Sequence, residues 1–159
     1  MWINDKSLRD LPYKIELNRY GKIEMSPASN KQVMLQAALK RLIESRLPDG
    51  DAIQKCSVQT AAGVKVPDVA WCSFRFIETQ GDQTPFSAAP EICVEVVSPS
   101  NAKAEMEEET ALYMASGAEE VWLVDIDGDI TIFGAEGQRA QSRFAEFPAC
   151  VELPYLRKH

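Results

Sequence analysis

The stretch PEICVEVVSPSN, residues 90–101, decides how the rest of the chain is read. Ile92, Cys93, Val94, Val96 and Val97 form a nearly continuous apolar run closed by Ser98, Pro99, Ser100 and Asn101, the pattern of a strand fully buried in a sheet. Glu95 stands in the middle of that run. An ionised carboxylate taken out of water without a partner costs several kcal/mol, so such groups are paired, protonated or metal-bound. Glu95 therefore needs a partner from elsewhere in the chain.

Working outward, 159 residues suit one domain, residues 1–159, able to bury about two thirds of the surface that the unfolded chain exposes. A hydrophobic fraction of 45% and a charged fraction of 26% place it among ordinary globular proteins and exclude disordered and fibrous classes. No apolar run approaches the roughly 20 residues of a membrane span, and MWINDKSLRDLPYKIEL lacks the basic-then-apolar plan of a signal peptide. A cytoplasmic protein without membrane contact is expected. Cys56, Cys72, Cys93 and Cys150 have no C-x-x-C spacing and read as free thiols, and zinc is disfavoured because the only histidine is His159. A net charge of −7 argues against coating nucleic acid through a broad basic surface. Lys31, Lys40, Arg41 and Arg46, and then Arg139, Arg143, Arg157 and Lys158, read as solvated faces.

YKIEL and GKIEM, residues 13–17 and 21–25, alternate in polarity around NRYG and predict an N-terminal β-hairpin. Ser29 with Gln32 is a capping-box signal, and Leu35, Leu39, Leu42 and Ile43 supply the stripe of a helix that stops at Leu47-Pro48-Asp49-Gly50. Residues 52–59 and 64–72 read as strands around Ala61-Ala62-Gly63, with Pro67 marking the second as an edge or bulged strand. GDQTPFSAAP, residues 81–90, is a loop by its turn residues. Asn101 is expected to cap a helix running to about Ser116, with Gly117 as its stop, and VWLVDI and DITIF flank the hairpin turn at Asp127-Gly128. The order predicts an α/β or α+β fold, a sheet with helices on its faces.

Asp68 lies in the strand before the 81–90 loop and Glu95 in the strand after it, so neighbouring strands could bring the two together. Val66, Asp68 and Ala70 share one strand face, and Cys93, Glu95 and Val97 share one on the other strand. Two carboxylates meeting in a partly buried place repel unless a hard cation lies between them, and Mg²⁺ or Mn²⁺ is the natural choice. Such an ion holds phosphate oxygens and lowers the pKa of bound water, the requirements of phosphodiester hydrolysis.

VPDVAWCS, EICVEVVSPSN and ALYMASGAEEVWLVDI, in this order and preceded by YKIELNRYGKIEMSPAS, resemble the putative restriction endonuclease family of bacterial proteins, within the PD-(D/E)XK nuclease superfamily. The resemblance spans roughly residues 13–133. It implies a restriction-endonuclease-like core, a mixed sheet flanked by helices in which acidic residues gather Mg²⁺ or Mn²⁺, DNA as substrate, and a homodimer that addresses two strands. Asp68 matches the PD aspartate, Glu95 the second acid, and Glu16 a glutamate of the family's opening.

The chain departs from the pattern at its lysine. Val97 stands two residues after the second acid, and the position on the following helix where the family places a lysine is Glu109. A carboxylate cannot stabilise charge developing on a phosphate. Ala102, Met106, Glu109 and Tyr113 fall at helical spacing on an inward stripe, whereas Lys103 lies about 120° away around the helix. Lys65 is expected on the strand face opposite Asp68. Each acid also has a plain structural reading: an edge or arginine-paired Glu95, a turn aspartate at Asp68, a solvent-facing Glu16, and a solvated acidic helix start around Glu109.

DIDGDI lacks the later glutamate of a calcium loop and reads as a hairpin turn, and neither a phosphate-binding glycine loop nor G-x-S-x-G occurs. Two classes of function follow. One is a metal-dependent DNA endonuclease with Asp68, Glu95 and Glu109 as candidate catalytic residues and Asp68, Glu95 and Glu16 as candidate metal ligands. The other is a catalytically inactive nuclease-like fold that serves as a binding or interaction module, motivated by Glu109 and the acidic charge.

Overall fold

Alternating polarity around Asn18 and Gly21 gives the hairpin of β1 (Tyr13–Leu17) and β2 (Ile23–Pro27), antiparallel with Glu16 opposite Glu24. The structure, a computed structural model, describes residues 13–153, so Arg157, Lys158 and His159 lie outside the described residues. The hairpin leads into α1 (Asn30–Arg46) through the expected capping box: Gln32 N–H donates to Ser29 Oγ at 3.2 Å and Ser29 N–H donates to Gln32 Oε1 at 2.9 Å. Ser29→Ala leaves both the cap and its reciprocal partner incomplete, and should lower unfolding free energy by about 1 kcal/mol in urea titration. No change in the midpoint would show that tertiary packing alone holds this helix end.

After α1 come β3 (Gly50–Ile53), β4 (Val58–Thr60), β5 (Gly63–Lys65) and β6 (Val69–Ser73). The expected strand over 64–72 is thus two strands, and they belong to different sheets. Proline at 67 cannot donate to a ladder, and the chain changes sheets there instead of forming an edge or a bulge. Next are α2 (Phe74–Gln80), β7 (Ile92–Val96), α3 (Lys103–Ala115), β8 (Glu120–Val124), β9 (Ile130–Gly134) and β10 (Gly137–Arg139). Neither α2 nor β10 is evident in the sequence pattern; α2 has no buried residue to betray a stripe, though Ser73 Oγ caps it by accepting from Phe76 N–H at 3.0 Å.

The larger sheet runs β10-β9-β8-β7-β6-β3, with β7 and β8 parallel and its other neighbours antiparallel; the smaller runs β2-β1-β5-β4. The parallel pair needs a crossover, which α3 supplies. Asn101 does not cap this helix as expected. Its side-chain oxygen accepts from Ser98 N–H at 2.9 Å, and Ala102 occupies the N-cap position without a side-chain bond. Gly117, at φ 116°, ends the helix where expected.

Side chains divide by parity along the large sheet. Ile92, Val94, Val96, Trp122 and Val124 pack with Leu35, Leu39 and Ile43 of α1, while Cys93 and Val121 pack with Tyr113 of α3. Arg139, expected on a solvated face, is instead half-buried, where it donates to the fully buried Glu120 at 2.8 Å. Cys56, Cys72 and Cys93 are free thiols. Burial foremost pushes the Cys56 thiol up to about 12 and also raises Cys72 and Cys93 well above the usual thiol range. At pH 8 only about one part in 10⁴ of Cys56 would be thiolate. Native-state alkylation at that pH should therefore modify Cys56, Cys72 and Cys93 at least ~100-fold more slowly than in urea; equal rates by mass spectrometry would contradict this.

Candidate active site

Asp68 immediately precedes β6, and carrying the β6–β7 register one residue further sets it opposite Glu95. Parity then puts both side chains on the sheet face that carries Cys93 and Tyr113. Asp68 Oδ2 accepts the Val96 N–H at 2.7 Å, and its Oδ1 lies 3.5 Å from Lys14 Nζ. Glu95 Oε1 accepts the Tyr113 hydroxyl at 2.9 Å, and its Oε2 lies 2.6 Å from the same ammonium. Each carboxylate thus has one oxygen fixed by a neutral donor and the other turned toward one shared cation. The partner required by the buried Glu95 is Lys14, with Tyr113 as its second donor.

Lys14 and Glu16 share a face of β1. Glu16 is buried rather than solvent-facing, and it accepts the Val66 N–H at 2.7 Å, which ties β1 to the segment that delivers Asp68. Glu109, one turn before Tyr113 on α3, lies 3.6 Å from Lys65 Nζ, both side chains being largely buried. Lys65 was expected to face away from Asp68 by strand alternation; that alternation does not run through residues 66–68, because β5 ends at Lys65. Lys103 is exposed and lies 4.0 Å from Glu107.

Burial is the largest influence on Glu95, and with the charges of Asp68, Glu109 and Glu16 it holds the carboxyl well above its usual range despite the opposing pull of Lys14. For Lys14, burial disfavours the charge, but Glu95, Asp68, Glu16 and Glu109 outweigh it and keep the ammonium strongly protonated. Burial also raises Glu109, helped by Glu16 and opposed by Lys14 and Lys65. A cleft of about 310 Å³, lined by Glu16, Arg19, Lys65, Glu105, Glu108 and Glu109 among others, adjoins this cluster.

The donor set suits a hard divalent ion. Asp68 and Glu95 already direct one oxygen each at a common cation, and Mg²⁺ is commonly held by one or two carboxylates, with water and substrate phosphate completing its shell. Among the described residues no three His, Cys, Asp or Glu side chains form a metal-enclosing group. The sequence pattern singled out Asp68, Glu95, Glu16 and Glu109, and the structure brings all four into one electrostatic neighbourhood. It did not single out Lys14, although the alternation that places Glu16 places Lys14 beside it.

A mixed sheet flanked by helices, with Asp68 just before β6 and Glu95 on the adjoining β7, is the arrangement that the resemblance to restriction-endonuclease-like nucleases implies. The chain belongs to the Uma2 family, "Putative restriction endonuclease", whose pattern matches residues 6–157. It is similar to the crystal structure of a putative nuclease belonging to DUF820 from Anabaena variabilis, with a TM-score of 0.65 and 17% identity, covering 83% of this chain and 80% of that one. At that identity the likeness carries the fold alone. No curated protein matches the chain. Among the described residues no helix is long and apolar enough to cross a membrane.

Proposed function

We propose that the protein is a divalent-metal-dependent DNA endonuclease in which Asp68 and Glu95 hold Mg²⁺ or Mn²⁺. The observation that carries this reading is the convergence of Asp68 Oδ1 and Glu95 Oε2 on one position, taken here by the Lys14 ammonium. Charge balance supports it. The acids Asp68, Glu95, Glu16 and Glu109 outnumber Lys14 and Lys65 in this cluster, which favours a cation there.

The bound ion would polarise a phosphate oxygen and acidify a water. The chain's own groups do the positioning. Val96 N–H and Tyr113 Oη–H lock the inner oxygens of the two carboxylates, so the outer oxygens keep their direction and only the flexible Lys14 ammonium has to shift to admit an ion between them. In the hydrolysis a water oxygen bonds to phosphorus and gives up a proton to solvent, the bond to one sugar oxygen breaks, and the departing oxygen takes a proton from solvent. Glu16 holds the Asp68 segment through Val66 and adds negative potential, and Glu109 fixes Lys65 at the cleft wall. Pairing of two copies, so that each addresses one strand, belongs to the same reading and is checked by light scattering.

The test is incubation with supercoiled and single-stranded DNA at low salt, where phosphate contacts are strongest, with Mg²⁺, Mn²⁺ or chelator. Nicking that requires metal is the expected result. A folded protein inert under all metals would favour the contrary reading, a non-catalytic binding module whose acidic pair is simply neutralised by Lys14.

A further inference from the structure

We propose that Lys14 is the cation that faces the scissile phosphate, filling from β1 the role left open by Val97 and Glu109; this rests on the nuclease reading above. Neither of those two positions can supply positive charge. Lys103 is exposed and pairs with Glu107, and Lys65 is held by Glu109. Lys14 Nζ lies 2.6 Å from Glu95 and 3.5 Å from Asp68, so it touches both carboxylates that would hold the ion.

An ammonium has three N–H donors. One donates to Glu95 Oε2 at 2.6 Å, and Asp68 Oδ1 at 3.5 Å is an ion-pair neighbour, which leaves N–H groups for a phosphate oxygen that can approach through the 18% of the Lys14 side chain that is exposed. A fixed ammonium beside the reacting phosphate stabilises the charge that accumulates on its oxygens in the transition state. The same contact balances the charge of the buried acidic pair. On this account Lys14 is a catalytic residue, and a residue that only balances charge would become dispensable once metal is bound.

That difference sets the experiment. Single-turnover cleavage at saturating Mn²⁺ is measured for the wild type, Lys14→Met, Lys14→Gln and Lys14→Arg, with Mn²⁺ affinity determined separately by paramagnetic resonance. The neutral variants should bind Mn²⁺ at least as tightly as the wild type, because a competing positive charge is gone, yet cleave about 10²-fold more slowly. Lys14→Arg should stay within about tenfold, since it retains the charge. Near-wild-type cleavage by either neutral variant with Mn²⁺ bound would overturn the assignment while leaving the nuclease reading intact. So would loss of Mn²⁺ binding, or failure of both neutral variants to fold, because either makes Lys14 structural. A wild type without metal-dependent cleavage removes the nuclease reading and this assignment with it.

Discussion

Asp68→Asn should reduce metal-dependent DNA cleavage by roughly 10³-fold while leaving the fold in place. The asymmetry comes from how the two oxygens of Asp68 are used. The asparagine carbonyl can keep the bond to Val96 N–H that orients the side chain at the end of β7. What disappears is the charged oxygen directed at the shared cation position, where Oδ1 lies 3.5 Å from Lys14 Nζ. Lys14 retains Glu95 as its closer partner, at 2.6 Å, so no buried charge is stranded. Melting temperature and near-ultraviolet circular dichroism should therefore stay near the wild type while the rate collapses. A variant that cleaves normally would remove Asp68 from the reaction, and one that unfolds would make its bond to Val96 the main reason for its presence.

The second large effect concerns stability and lies away from the candidate site. Glu120, the first residue of β8, is completely buried. Its Oε1 accepts Trp122 Nε1–H at 3.1 Å and the Ser142 hydroxyl at 2.8 Å, and its Oε2 accepts from Arg139 Nη1 and from the Arg143 backbone N–H, each at 2.8 Å. One carboxylate thus organises the return of the chain from β10 over the end of the large sheet. Glu120→Ala strands the half-buried Arg139 beside several unsatisfied donors, and removal of one member of a buried ion pair costs about 3–5 kcal/mol. Arg139 also pairs with Glu136, which gives it a fallback partner. Urea denaturation of Glu120→Ala should show a loss in that range; a loss below about 1 kcal/mol would mean that water or Glu136 replaces the carboxylate. Glu120→Gln, which keeps the shape and the acceptor for Trp122 and Ser142, should lose less.

The elements that follow a strong local period were legible in the sequence. YKIEL with GKIEM gives the first hairpin, Ser29 and Gln32 the start of α1, and Asp127-Gly128 the β8–β9 turn because each is decided within a few residues. What escaped was decided by tertiary structure. Proline at 67 reads locally as a bulge, yet the chain changes sheets there, which frees Lys65 from the alternation that would have turned it away from the acids. Asn101 looks like a helix cap but is used within its own turn by Ser98. Arg139 has the appearance of a surface charge until β8 presents a carboxylate 19 positions away.

The candidate site shows the same division. Glu95 announced itself as a charge in an apolar strand, and Asp68 through its proline neighbour, and both lie where the register of adjoining strands puts them. Lys14 was hidden because its pairing with Glu95 joins residues 81 apart through a hairpin of the smaller sheet. Nothing local distinguishes it from other lysines on a polar strand face. Its significance appears only when the two sheets are in place, since β1 joins the site through β5 and the bond from Val66 N–H to Glu16.

The central claim is that Asp68 and Glu95 together form a site for one divalent cation. Its most direct test is a Mn²⁺ titration followed by paramagnetic resonance, comparing the wild type with Asp68→Asn combined with Glu95→Gln. The account predicts one saturable Mn²⁺ per wild-type chain and a loss of at least about tenfold in affinity when both carboxylates are neutralised. Mn²⁺ binding of equal strength in both proteins, or no saturable binding by the folded wild type, would contradict it.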